Sequence, residues 1–173
     1  NKKNNSNFEL VSIAVKNLKK KRNVGIRSLP LTKDTLSLSN NPKVNIVIEL
    51  IGGSSGTAYK LVKKSLMNGK NVITANKALL AVHGNELIKL AEKNNCSISF
   101  EAAIAGGIPI VKVIRENLRF NNISKVYGIL NGTCNYILTK METEGKDFNS
   151  VLKVAQNLGF AELDPSFDIK GID

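Results

Sequence analysis

The sequence predicts an α/β protein: a parallel sheet with helical crossovers, followed by the start of a smaller α+β region. Three observations carry this. Short unbroken apolar runs rich in β-branched residues alternate with stretches whose apolar residues recur at helical spacing, the pattern of parallel strands buried between crossover helices. Glycine pairs stand at the ends of two of those runs, Gly52-Gly53 and Gly106-Gly107. Beyond the second pair the alternation gives way to two consecutive helical patterns and an acidic segment. A domain change is therefore expected near residues 104–109, with residues 1–104 as one domain and 105–173 as the next.

Residues 8–15 (FELVSIAV) read as a buried strand, and 16–42 as polar and irregular with a short helix around 34–38. Residues 45–51 (NIVIELI) form a second buried strand, stopped by Gly52-Gly53. A helix follows over 56–68, with Ala58, Leu61, Val62, Ser65 and Leu66 on one face and Gly69 closing it. Residues 71–74 are a third strand, 84–94 a lysine-studded helix bearing Leu87, Leu90 and Ala91, and 97–102 a fourth strand. Pro109 stands where a helix would start, with Ile110, Val113, Ile114 and Leu118 as its apolar face. A strand over 123–130 then leads to helices over 135–143 and 148–158.

Composition removes several function classes. A net charge of +11 invites a nucleic-acid reading, but the lysines are dispersed, there is no Arg-rich stripe, and aromatics make up only 5% of the chain. An anionic small molecule such as a nucleotide phosphate fits this positive field better, and no nucleic-acid partner is expected. No apolar run approaches the length of a membrane span, so no membrane partner is expected either. Cys96 and Cys134 are too few for a disulfide framework, which points to a reducing, cytoplasmic setting. With one histidine, His83, and no CxxC or GxSxG, zinc, thiol and serine-hydrolase chemistry lack parts.

Four places could carry chemistry. The turn Gly52-Gly53-Ser54-Ser55-Gly56 lies at the carboxyl end of a parallel strand, where open α/β sheets bind ligands, and suits an anion or a ribose hydroxyl, or is a plain tight turn. Lys77 leaves the tip of the next strand, within reach of a cofactor phosphate or a reacting hydroxyl, or is a solvated surface lysine. Glu101 closes an apolar strand and is followed by small residues. One carboxylate with several carbonyls is an oxygen cage for a hard cation, while the competing role is a cap on the next helix. Finally Glu162, Asp164, Asp168 and Asp173 gather against the charge of the chain in a Pro- and Gly-bearing loop, where carboxylates can hold an ammonium or orient a lysine, unless Asp168 is a structural partner and Asp164-Pro165 only a turn. Thr133, at the end of Asn131-Gly132-Thr133, is placed as a helix N-cap, compatible with a substrate contact.

These motifs, VIELIGG, NVITANKALLA, FEAAIAGGIPIV, GILNGTCNYIL and AQNLGFAELDPSFDIKGID, resemble in this order the blocks of the homoserine dehydrogenase family. The last is the most specific, matching Ala155, Gly159, Asp164-Pro165, Asp168, Gly171 and Asp173 to the family's signature. The resemblance implies a Rossmann-type nucleotide-binding sheet followed by a substrate and dimerisation domain. It implies an enzyme that interconverts L-homoserine and L-aspartate 4-semialdehyde by hydride transfer, in threonine and methionine biosynthesis. By the same resemblance Gly53, Ser54 and Lys77 bind the cofactor, and Lys77 and Asp173 are catalytic. Glu101 with the carbonyls of Ile104, Gly106 and Ile108 holds a monovalent cation, sodium, and Thr133, Glu162, Asp168 and Asp173 bind the substrate. A homodimer is implied when the enzyme is intact.

Two departures from the family pattern lead to further expectations. No GxGxxG occurs, and the first strand of the fold precedes residues 8–15; the family's acid/base lysine belongs four residues past Asp173. The chain is therefore expected to be an internal fragment, inactive alone and with an exposed sheet edge, the alternative being a non-catalytic remnant acting as a binding module. At the end of the second strand, where NAD-selective sites carry an acid, the chain reads Val15-Lys16-Asn17-Leu18-Lys19. Cations there favour a 2′-phosphate, so NADP is expected, with NAD as the alternative.

Overall fold

The structure, a computed structural model, describes residues 8–20, 30–128, 131–161 and 164–170. The chain forms two compact units, Asn1–Asn117 and Leu118–Asp173.

In the first unit, β1 (Ile13–Ala14) pairs in parallel with β2 (Leu31–Thr32). After a short helix α1 (Ser37–Asn40), strands β3 (Ile46–Glu49), β4 (Asn71–Thr74) and β5 (Ile98–Ser99) make a second parallel ladder in the order β3-β4-β5. Helices α2 (Thr57–Met67) and α3 (Lys77–Lys93) are the crossovers. A doubly wound nucleotide-binding sheet has the order 3-2-1-4-5-6. The ladders β1-β2 and β3-β4-β5 agree with the neighbours 2-3 and 4-5-6 of that order, as two separate ladders among the described residues.

Strand alternation decides what is buried. In β3 and β4, Val47, Glu49, Val72 and Thr74 face inward. There Val47 and Val72 join Leu61, Val62 and Leu66 of α2, Leu79, Leu87 and Ala91 of α3, and Ile98 in one core. Burial of each of these larger aliphatic side chains contributes about 1.5–3 kcal/mol. The strands were expected to be buried on both faces, yet Ile46, Ile48 and Ile73 are 42%, 60% and 39% exposed. The crossover helices cover only the other face.

Helix ends follow cap chemistry. Gly69, at φ +67, ends α2 in the left-handed region, and its amide bonds Leu66 O at 3.1 Å. Asn76 caps α3, its side chain accepting from Leu79 N at 3.1 Å. This is why α3 starts at Lys77 and not at residue 84; Gly84 sits inside the helix and does not open it. The 8–15 strand is paired only at Ile13–Ala14. The 97–102 strand stops at Ser99, because Glu101–Ile104 forms a helical turn, α4. Pro109 stands at the cap position of α5 (Ile110–Lys112), which continues as a π-helical turn over Val113–Asn117.

The second unit is a helical hairpin. Helices α6 (Gly132–Glu144) and α7 (Phe148–Asn157) pack through Ile137, Val151 and Ala155, with Ala161, beyond α7, in the same cluster. Gly145, at φ +63, ends α6, and Asp147 caps α7 through Ser150 N at 3.1 Å. A short helix α8 (Ser166–Ile169) follows. The strand expected over 123–130 is not formed at residues 123–128, where Ile123, Val126 and Tyr127 are exposed without a ladder partner; residues 129 and 130 lie outside the described residues. No helix among the described residues is long and apolar enough to cross a membrane.

Candidate functional site

The inward faces of β3 and β4 end on a polar pair. Glu49 and Thr74 are register partners, both fully buried, one step beyond Val47 and Val72. The Thr74 hydroxyl donates to Glu49 Oε2 at 2.6 Å and accepts from Asn76 N at 3.0 Å. Glu49 Oε1 accepts from the amides of Ile51 at 2.6 Å and Gly52 at 3.0 Å. Asn76 Nδ2 closes the circuit by donating to Gly53 O at 2.8 Å. The turns after β3 and β4 are thus tied together at the carboxyl edge of the sheet.

That circuit positions the sequence-predicted residues of this edge. Gly52 and Gly53 both hold positive φ, +87° and +80°, and a Cβ on either would meet nothing within 4 Å. Glycine is demanded by the backbone conformation, and the space over the turn is open. Ser54 is half-buried beside it, and Lys77, exposed, is the first residue of α3 after its cap. Glu101 follows β5 and so shares this edge. Its Oε1 accepts from Val111 N at 3.0 Å and Lys112 N at 3.5 Å, so the carboxylate does serve the next helical turn. Ile108 O accepts from Ile110 N at 2.8 Å, and Gly107, at φ +85, turns the chain just before Ile108. Among the described residues no three His, Cys, Asp or Glu side chains gather, so a cation at Glu101 would rest on backbone carbonyls such as those of Ile104, Gly106 and Ile108. An oxygen-only set with one carboxylate suits a monovalent ion.

At the carboxyl end of β1 an open recess of about 810 Å³ is lined by Val15, Lys16, Asn17, Lys20 and Lys33. Three ammonium-bearing side chains around one recess form an anion-attracting surface.

In the second unit, Asn131 and not Thr133 caps α6. Asn131 is extended at φ −126° and its Oδ1 accepts from Cys134 N at 2.7 Å. Asn131 Nδ2 donates to Asp168 Oδ1 at 2.6 Å, and the Cys134 thiol approaches Asp168 O at 3.3 Å. Thr133, inside the first turn, donates to Phe160 O at 2.6 Å. Asp164 takes Ser166 N at 3.1 Å in a turn, and bonding to Ser166 holds its carboxyl below the usual range. Thr133 and Asp168 thus each tie down the start of α6, Thr133 through Phe160 and Asp168 through Asn131. Glu162 and Asp173 lie outside the described residues.

Glu49, Thr74, Asn76 and Asn131 escaped the sequence reading. Glu49 had a usable signal, the same one that flagged Glu101: a lone acid near the end of an apolar strand, just before glycines.

Parallel ladders with helical crossovers, an open glycine turn at the carboxyl edge and a lysine recess at the end of β1 have the form of a dinucleotide-binding α/β domain. Residues 1–101 match the family "Homoserine dehydrogenase, NAD binding domain", and residues 109–173 match "Homoserine dehydrogenase". The chain belongs to the homoserine dehydrogenase family. It is 48% identical over 166 residues to the Pseudomonas aeruginosa homoserine dehydrogenase, covering 96% of this chain and 38% of that protein. The Thiobacillus denitrificans homoserine dehydrogenase structure superimposes with a TM-score of 0.84 at 47% identity, covering 94% of this chain and 37% of that one. A hyperthermophilic archaeal homoserine dehydrogenase in complex with NADPH matches at 0.71 and 38% identity, covering 80% of this chain and 42% of that one. The chain thus spans under two-fifths of the length of the first two relatives.

Proposed function

We propose that the intact protein interconverts L-homoserine and L-aspartate 4-semialdehyde, as a cytoplasmic homodimer serving threonine and methionine biosynthesis. The observation that carries this reading is that both family matches fall on a chain whose glycine turn, Lys77 and Glu101 share one sheet edge. A nicotinamide ring bound there would give or take the hydride. Gly53 and Ser54 line the cofactor, and Lys77 offers a cation to a cofactor oxygen or to the reacting hydroxyl. Thr133, Glu162, Asp168 and Asp173 receive the amino acid, with Asp173 beside the proton transfer. Glu101 and the carbonyls of Ile104, Gly106 and Ile108 hold sodium, steadying the turn between α4 and α5.

The cofactor is NADP. Lys16, Lys20 and Lys33 line the recess where a 2′-phosphate would lie, and no acid stands among the lining residues to bond a free 2′-hydroxyl. The complex of the archaeal relative with NADPH supports the same choice. The test is reduction of NADP⁺ and of NAD⁺ by the intact protein with L-homoserine. Homoserine-dependent reduction with a higher kcat/KM for NADP⁺ is expected. No reduction with either cofactor overturns the activity, and a preference for NAD⁺ overturns the cofactor assignment alone.

A further inference from the structure

We infer that Glu49 is a positioning residue for the cofactor, holding the Gly52-Gly53 turn in the shape that receives the nicotinamide-bearing half. The inference rests on the dehydrogenase reading above. A carboxylate buried completely at the end of a strand is costly unless its oxygens are paired, and no cationic side chain among the described residues bonds this one. Its bonds go instead to the Ile51 and Gly52 amides and the Thr74 hydroxyl. Bonds to an ionised acceptor are about twice as strong as neutral ones, so the turn is anchored by the strongest local contact it has.

The anchoring has a chemical consequence. The amides of Ile51 and Gly52 face inward to the carboxylate, and the Gly53 carbonyl is held by Asn76. A glycine turn that binds phosphate offers its amides outward. Here two of them are engaged, with a negative charge behind them, so the turn suits a neutral part of the dinucleotide and not its phosphates. The open space above Gly52 and Gly53 is where that part approaches. Through Thr74 and Asn76 the same carboxylate fixes the start of α3, hence the backbone of Lys77. Glu49 therefore sets both the cofactor turn and the lysine after it without touching either ligand.

The test uses Glu49→Gln, Thr74→Val and Thr74→Ser in the intact protein. Glu49→Gln keeps the shape but removes the charge and puts an amide NH2, which cannot accept from the Thr74 hydroxyl, in place of one oxygen. Thr74→Val removes the hydroxyl at constant shape, and Thr74→Ser restores it. Glu49→Gln and Thr74→Val should each raise the KM and Kd for the nicotinamide cofactor about tenfold, since small displacements of a binding group carry such losses. KM for homoserine should change less than the cofactor constants, because Glu49 reaches the substrate side only through the backbone of Lys77, and Thr74→Ser should recover most of the loss. Affinity for adenosine 2′,5′-bisphosphate, a probe of the adenine half, should not change in any variant. A purely structural Glu49 would lower stability and move all constants together. If Glu49→Gln does not fold, the two threonine variants decide alone. Unchanged cofactor KM in a folded Glu49→Gln or Thr74→Val protein overturns the inference, as does equal loss of bisphosphate affinity. A wild-type protein that binds neither NADPH nor NADH overturns the dehydrogenase reading itself, and the positioning role with it.

Discussion

The side-chain amide of Asn76 donates to the carbonyl of Gly53 at 2.8 Å, joining the cap of α3 to the glycine turn after β3. The same side chain accepts from Leu79 N at 3.1 Å. Two substitutions separate the two jobs. Asn76→Ala removes both and should cost about 1–2 kcal/mol in urea unfolding, the sum expected for a lost cap and a lost buried bond. Asn76→Ser keeps a cap acceptor but cannot reach Gly53, and should lose about half as much stability. Cofactor KM should rise in both. Wild-type KM in Asn76→Ser would mean that the cap is the only role of Asn76.

For stability, glycine matters at Gly53 through its backbone conformation. At φ +80, with open space for 4 Å around the point a Cβ would occupy, Gly53→Ala meets strain without collision, about 1 kcal/mol of destabilisation. Gly106 also has open space but lacks a left-handed φ. There alanine restricts the unfolded chain and should raise stability by about 0.4–1 kcal/mol. Opposite shifts in thermal midpoint for the two variants are the expected outcome. A shift of the same sign in both would remove backbone conformation as the explanation.

The parallel order of the strands could be read from the chain because short apolar strands alternate with helical stretches, α2 falling between β3 and β4 and α3 between β4 and β5. What the pattern could not convey was pairing across strands. Glu49 and Thr74 are 25 positions apart in sequence and meet only through register. The start of α3 was missed for a similar reason: Asn76 declares itself a cap through its bond to Leu79 N, whereas Gly84 looked like a boundary. At α6 both Asn131 and Thr133 were suitable caps by residue type, and only the extended backbone of Asn131 decided between them. The strand over 123–130 had the composition of a strand but found no neighbour at residues 123–128. Of the two roles open to Glu101, the cap is visible in its bonds to Val111 and Lys112, whereas a cation would declare itself only when bound.

Acid should weaken the helical hairpin through Glu144. Hydrogen bonds from Lys140 first, and Lys146 second, hold its carboxyl down to about 2 from the ordinary 4.5. A depressed carboxylate stabilises the fold above its unfolded value, and that contribution is lost as pH falls through the folded one. The loss therefore runs between about 4.5 and about 2. Asp147, lowered mainly by Ser150, adds a loss of the same sign. The thermal midpoint of Glu144→Gln should lie below wild type at neutral pH and converge with it at the acid end. Salt should shrink the gap, because the pair is on the surface. A gap that persists unchanged in acid would show that charge at Glu144 is not its source.

Glu101 allows the cation to be separated from the cap. Sodium that binds only the folded state stabilises it by about 2.7 kcal/mol at a hundredfold excess over Kd. Exchanging choline chloride for sodium chloride at equal ionic strength should therefore raise the thermal midpoint of the wild-type protein. Glu101→Gln retains a side-chain oxygen for Val111 N, so the cap on the turn after Pro109 should survive nearly intact. It removes the negative charge, which is what a hard cation needs from this site. The variant should thus match wild type in choline and fail to respond to sodium. Glu101→Ala should be less stable in both salts, because it loses the cap as well. A sodium response that survives in Glu101→Gln would locate the cation elsewhere and leave Glu101 with the capping role alone.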